Sequence, residues 1–422
     1  MKKIIAYLLM ALPFLVAACT HEEKDLFDES SAIRMEKALG ESRRILSGAA
    51  NGWLMEYYPS NSQAYGGYNI IVSFTTDGQV TVSSESFPSK EQVTSTYSLK
   101  QSAGRVLSFD TYNEVMHYYS DPWNPDGIGS IGKGMEGDLE FNIMSATADS
   151  VILQGVKTGN RIVMVPMQGD WSEYLTSVQE LDSISTYMLL DLLVGTEKIR
   201  GVTNYHLITF KYNDEDIKVP YILTPTGYKL YEPLTIAGKT ITGFTYDAPT
   251  MTFTELTDAA ITMVPVFPPN DIFVAGNWFL KVSDSGSWSQ TQFNKGKAGS
   301  EAEGEEVQIA YFGYGSWLSD TYPASSYGFG FISGSYAGVV GFTAETIGDD
   351  KVKLAYNSGR SAGNGTWYYT NADYDEFIKP FIGTFTVSTD DVMNPTYMLL
   401  TDDNNPDNWM KLSKSIITYP FN

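Results

Sequence analysis

The chain contains one thiol, Cys19, and the residues before it give that thiol a specific chemistry. Val16-Ala17-Ala18 sets small side chains directly ahead of it, at the end of an apolar run over residues 4–18 that begins behind Lys2 and Lys3. A basic start, a short apolar stretch and a small-residue cleavage site make a secretory signal, and the run is too short to span a bilayer. Cleavage between Ala18 and Cys19 leaves the Cys19 sulfur as the attachment point for diacylglycerol, so residues 1–18 are expected as a lipoprotein signal peptide. The alternative is an ordinary signal peptide that happens to contain a Cys. With Cys19 acylated no thiol remains, which removes thiol catalysis and thiolate metal ligation.

Other patterns match chemical signatures in residue type but not in setting. Gly127-Ile128-Gly129-Ser130-Ile131-Gly132 has the spacing of a dinucleotide loop, which must open a helix whose N–H groups meet the pyrophosphate. Lys133-Gly134-Met135-Glu136-Gly137 follows instead, so a hairpin loop is expected. Gly359-Arg360-Ser361-Ala362-Gly363 matches a nucleophile elbow, but the fold that uses it places a His further on, and none follows His206. Gly238-Lys239-Thr240 has Pro233 where a phosphate loop needs its first Gly. His21 stands in the N-terminal tether, while His117 and His206 sit among aromatic and apolar neighbours and are expected in strands. A metal site built on His117 and His206 with carboxylates has no supporting spacing. Asp402-Asp403-Asn404-Asn405-Pro406-Asp407-Asn408 is oxygen-rich but lacks the spaced Asp and turn Gly of a calcium loop. No catalytic residue, metal ligand or cofactor is assigned.

Aromatic side chains are the remaining chemical signal. Trp123 stands in Asp121-Pro122-Trp123-Asn124-Pro125-Asp126-Gly127, a loop by composition. Residues 311–336 carry Tyr314, Trp317 and Tyr322 among Gly and Ser. Rings beside hydrogen-bonding groups suit sugars and peptides at low entropic cost. Trp123, Trp317, Tyr314 and Tyr322 are therefore the candidate ligand-binding residues. The competing reading makes them core or edge residues of a β-fold.

The elements that must position these residues are mostly strands. The chain is 43% hydrophobic and 14% aromatic, with 37 Gly, which favours well-filled β-structure with many turns. Residues 29–50 are predicted as an amphipathic helix with Met35, Leu39 and Leu46 on one stripe. From Trp53 the period becomes two. Asp77-Gly78 is the strongest hairpin signal, Phe141 and Ile143 alternate with polar residues, and residues 151–153 and 161–165 are expected to pair across Thr158-Gly159-Asn160. Residues 171–181 share a helical face. The expected fold class is mainly β, with antiparallel sheets forming a sandwich or barrel-like blocks behind an N-terminal amphipathic helix.

The predicted partition is a signal peptide (1–18), an acidic tether (19–28), a helix plus β-rich region (29–263, with a sub-boundary near 185–200), a Pro-rich linker (264–275) and a β domain (276–422). Within the last block residues 366–369 read as a strand and residues 295–306 as a mobile loop. Gly52-Trp53-Leu54 and Asn277-Trp278-Phe279 match as a weak internal repeat. So do Asp170-Trp171 with Asp373-Tyr374, and Tyr187-Met188-Leu189-Leu190 with Tyr397-Met398-Leu399-Leu400.

Charge narrows the partners. The net charge is −22, and loss of Lys2 and Lys3 deepens it, so phosphate backbones and anionic lipid surfaces are repelled. Nucleic acid is excluded as a ligand, and membrane attachment rests on the acyl chains at Cys19. Thr20-His21-Glu22-Glu23-Lys24-Asp25 resembles the surface-export signal of Bacteroidota lipoproteins, which implies the outer face of the outer membrane; a plain tether facing the periplasm is the alternative.

Four stretches carry a family resemblance: Leu26-Phe27-Asp28-Glu29-Ser30, Gly52-Trp53-Leu54-Met55-Glu56-Tyr57-Tyr58-Pro59, Leu107-Ser108-Phe109-Asp110-Thr111-Tyr112-Asn113 and Gly159-Asn160-Arg161. Over residues 25–260 the chain resembles an uncharacterised family of Bacteroidota lipoproteins, domain of unknown function number 4302. The resemblance implies a setting beside outer-membrane nutrient-uptake receptors and carries no catalytic residues. The expected function is non-catalytic binding of a partner protein, or of an extracellular glycan or peptide, for an uptake system. A structural or assembly lipoprotein without a small ligand is one alternative, and a hydrolase with a carboxylate or metal site is another.

Overall fold

The protein is described by a computed structural model over residues 29–422, so the expected signal peptide, Cys19 and the tether lie outside the described residues. The chain divides into two compact units after Pro265.

The first unit holds two closed barrels of eight antiparallel strands. Helix Ser31–Leu46 comes first, with the Ser30 hydroxyl accepting from Ile33 N at its start and with Ser42, Ile45 and Leu46 buried. The first barrel then runs as a meander from strand Trp53–Tyr57 to strand Arg161–Pro166, and these two pair to close it, with Trp53 opposite Pro166. Strands Tyr68–Phe74 and Gln79–Ser84 form the hairpin that Asp77-Gly78 predicts, and strand Val151–Gly155 pairs with Arg161–Pro166 across the Asn160 turn. Alternate residues point inward, so Met55, Ile70, Val72, Val82, Leu107, Phe141 and Leu153 fill the interior, as expected of a barrel too narrow for a channel.

Helix Trp171–Ser185 links the barrels and is longer than the sequence suggested. Leu175 packs with Ile71 and Met167, outside the first barrel, while Val178 and Leu181 join the core of the second. The second barrel meanders from strand Leu189–Val194 to strand Thr262–Pro265, and these two close it.

The second unit begins with helix Pro269–Ala275, within the stretch read as a linker. Eight strands from Trp278–Ser285 to Trp409–Ser413 follow in meander order. The first and last pair, strand Tyr327–Ser333 pairs with Tyr336–Ile347, and the short strand Ala362–Gly363 adds to the latter. Two expectations fail here. Residues 295–306 are mostly helix Ser287–Ala302, because Gly296 and Gly299 open space that Phe377 and the Ala372 backbone occupy. Residues 366–369 lie in helix Gly365–Asn371 rather than a strand, with Tyr368 turned into the core against Phe331 and Tyr374.

Each barrel thus follows a helix. The Trp53 indole donates to Leu46 O at 2.8 Å and the Trp278 indole to Phe273 O at 2.9 Å, so two barrels open with a Trp that satisfies a carbonyl near the end of the preceding helix. Asp170 and Asp373 each stand directly before a helix, Trp171–Ser185 and Tyr374–Phe377, while the remaining repeat match falls at unlike places. Tyr187-Met188-Leu189-Leu190 opens the second barrel, whereas Tyr397-Met398-Leu399-Leu400 lies in the next-to-last strand of the third.

Candidate functional site

A surface cleft lies on the first barrel, where the chain leaves strand Arg105–Phe109 and returns at strand Glu140–Ala146. The excursion begins with Asn113, which caps the short helix Glu114–Tyr118 by accepting from Met116 N. The Asn113 amide donates to Val93 O and Ser95 Oγ, fixing the helix to the barrel. His117 is therefore a helical residue, not the strand residue expected, and Tyr112 packs on its ring at 4.8 Å.

The loop beyond is tightly wired. Buried Asn124 donates to Tyr118 O and accepts from the amides of Asp126 and Ile128. The Tyr118 hydroxyl donates to Asp126, and Trp123 N donates to Asp121 Oδ1 at 2.8 Å. These bonds fix the backbone around Trp123 while its side chain stays 70% exposed; Tyr112 is 72% exposed. Tyr112, His117, Asp121, Pro122, Val156 and Lys157 line a cleft of about 460 Å³, and Trp123 follows Pro122 in the chain.

The carboxylates at this cleft already have partners. Asp138 accepts from Lys157 N and from Thr158, and Glu140 lies 3.6 Å from Lys100 Nζ. Asp121 holds the Trp123 amide. The arrangement offers aromatic faces and hydrogen-bonding groups on a fixed frame, which is chemistry for holding a ligand.

The other three predicted residues belong to the second unit. Trp317 packs against Phe279 at 4.9 Å and Tyr311 at 5.0 Å, Tyr314 against Tyr327 at 5.0 Å, and the Tyr322 hydroxyl donates to Ala337 O. They gather around the turn Gly315–Trp317 and are half-buried.

A buried carboxyl held well above its ordinary range lies in the seam between the first two barrels. Burial pushes the Glu85 carboxyl up to about 7, against the opposing pull of His206 and the Asn69 hydrogen bonds. Its Oε2 accepts from Asn69 N at 2.9 Å, while Oε1 makes no hydrogen bond and lies 3.8 Å from His206 Nδ1. His206 is in the turn after strand Glu197–Asn204, not in a strand as expected, and its Nδ1–H donates to Gly67 O at 2.7 Å. Its Nε2 faces Asp182 at 3.8 Å. Burial opposes the imidazolium, but the facing Asp182 and Glu85 carboxylates and the Gly67 carbonyl outweigh burial and raise its pKa. The Tyr68 and Tyr221 rings pack on the His206 ring at 4.8 and 5.5 Å, Tyr119 packs on Tyr68, and the Tyr174 hydroxyl donates to Asn69 Oδ1.

Nothing in the sequence marked Glu85, which stands 121 positions from His206. For the cleft, the usable signal was Asn113 at a helix start directly after the alternating strand. Among the described residues no group of three or more His, Cys, Asp or Glu side chains is placed to hold a metal. Ser361 Oγ accepts from Gly341 N, so that hydroxyl serves the backbone. Asp402 and Asp403 bond to Asn404, Asn408, Thr386 and Lys351 within and beside their turn.

Residues 23–248, more than half the chain, match the family described as Domain of unknown function (DUF4302). No curated protein matches the chain. Two solved structures align over 90% of this chain and 96% of their own: the DNA polymerase III beta chain of Streptococcus pneumoniae TIGR4 and the DNA polymerase III beta subunit of Thermotoga maritima. Their identities are 11% and 10% and their TM-scores 0.10 and 0.12, too low to carry any argument.

Proposed function

We propose that this chain, which belongs to the DUF4302 family, is a non-catalytic, lipid-anchored binding protein of the outer-membrane surface. In this reading Cys19 carries the anchor, and the first-barrel cleft holds an extracellular peptide or glycan for an uptake system. One observation carries the binding role: Tyr112 in the cleft lining and Trp123, next in the chain to the lining residue Pro122, remain more than two-thirds exposed on a backbone fixed by hydrogen bonds. A ring left in water on a rigid frame loses little entropy on binding and offers a large apolar face.

The test pairs binding with stability. Trp123→Ala and Tyr112→Ala are each expected to weaken binding of peptides or glycans from a defined panel by about 1–3 kcal/mol, with the melting temperature unchanged. Unchanged affinity in both folded variants discards the cleft. Anchoring is tested separately by Cys19→Ala, expected to leave the protein unprocessed or released from membranes. Normal processing and retention in the membrane fraction would overturn it.

A further inference from the structure

A second cavity, of about 380 Å³, lies in the second unit and is lined by Glu303, Glu305, Tyr336, Asn364, Trp367 and Tyr368. Three segments form it: the end of helix Ser287–Ala302, the turn between strands Tyr327–Ser333 and Tyr336–Ile347, and helix Gly365–Asn371. Gly304, at φ +79°, turns the chain after the first helix, and Glu305 N then donates to Ser300 O. Gly334 N donates to Glu306 O, which brings the Tyr336 turn alongside. The position of Gly365 is demanding, because a Cβ there would lie 1.9 Å from Val339 O.

The lining is selective in its chemistry. The buried Tyr368 hydroxyl donates to Glu305 and fixes that carboxylate. Trp367 meets the Tyr368 ring edge-on at 5.1 Å and is 47% exposed; Tyr336 is 52% exposed. Two carboxylates and two open aromatic faces meet, and none of the lining residues is a Lys, Arg or His. The nearby Lys297 is engaged elsewhere, at 3.2 Å from Glu301 and over the Phe421 ring. Carboxylates attract a cation, and the negative faces of Trp and Tyr rings stabilise the same charge where water is partly excluded. A neutral ligand would satisfy the rings but leave the negative charge unmatched.

We propose that this cavity is a binding site for an organic cation, the ammonium or guanidinium of a basic peptide side chain. It is independent of the first-barrel cleft, since it lies on the other unit and uses none of the same residues.

The experiment titrates the full chain with Nα-acetyl-lysine methylamide and Nα-acetyl-arginine methylamide. The neutral isostere Nα-acetyl-norleucine methylamide is the control, and the readout is the Trp367 indole N–H resonance. Saturable shifts with both cationic probes, absent with norleucine and reduced at higher salt, are expected. Glu303→Gln with Glu305→Gln should abolish the response. Trp367→Ala, followed by calorimetry because it removes the reporter, should weaken binding by about 3–5-fold while the melting temperature holds. Equal binding of norleucine, or full binding by the double Gln variant, overturns the proposal. No shift with any probe overturns it as well, whatever the outcome at Trp123.

Discussion

Replacing Glu85 by Gln should make the first unit more stable at neutral and alkaline pH. The Glu85 carboxyl rises from its ordinary 4.5 to about 7 in the folded chain, so the native state holds its proton more tightly than the unfolded state does. Its contribution is fully present below about pH 4.5 and is lost as pH rises through about 7. His206, raised above its ordinary 6.5, works in the same direction and loses its contribution above that pH. Asp182 works the other way. Burial raises it, but the facing His206 and the hydrogen bond from the Thr186 hydroxyl outweigh burial, so its contribution disappears only as pH falls below 3.8. Moving a buried carboxyl from 4.5 to about 7 corresponds to roughly 3 kcal/mol. Gln keeps an oxygen for Asn69 N and cannot ionise. Urea unfolding followed by tryptophan fluorescence from pH 4.5 to 8, with Trp53 and Trp171 as reporters in this unit, should show wild type losing stability across the window. The variant should lose much less. The two should nearly coincide at pH 4.5 and differ by up to about 3 kcal/mol at pH 8, with the variant ahead. A Gln variant with the wild-type slope, or one less stable than wild type at pH 8, refutes the argument.

Three further outcomes follow from packing. Gly66→Ala, at φ +67° and with its new Cβ 2.0 Å from His206 O, should destabilise the first unit by about 3 kcal/mol, measured as a fall in urea midpoint. Trp53→Phe should cost about 2–4 kcal/mol, because it strips the donor from the Leu46 carbonyl and leaves a gap in the barrel, and thermal unfolding reads it directly. Trp317→Ala should cost about 2–3 kcal/mol through lost contact with Phe279 and Tyr311, whereas Trp123→Ala should stay within about 0.5 kcal/mol; parallel denaturant titrations compare them.

Local signals were legible where local chemistry decides. Asp77-Gly78 supplies the positive φ that a tight hairpin needs, and strands Tyr68–Phe74 and Gln79–Ser84 pair across it. The alternation through Phe141 and Ile143 became an inward-facing row. Where tertiary packing decides, the same reasoning failed. Thr366-Trp367-Tyr368-Tyr369 has strand-forming side chains, yet it is helical because Gly365 admits the chain against Val339 and Tyr368 has a core to enter. Residues 295–306 read as a mobile loop, yet Gly296 and Gly299 each make room for a neighbour within a helix. Barrel or sandwich was undecidable from alternation, because both bury every second residue. Closure rests on Trp53 meeting Pro166, a pairing over more than a hundred residues.

The candidate sites were hidden for the same reason, and the two kinds of aromatic residue show it. Trp123 and Trp317 looked alike in sequence, each in a loop rich in turn-forming residues. The structure separates them by what lies behind the ring. Trp317 has Phe279 and Tyr311 to pack on, while Trp123 is held by its backbone alone. Tyr112 and Val156, which share the cleft, are 44 positions apart and meet only because the barrel brings two strand ends together. Composition signals that aromatic rings are abundant, but only the register of the strands decides which rings are left facing water.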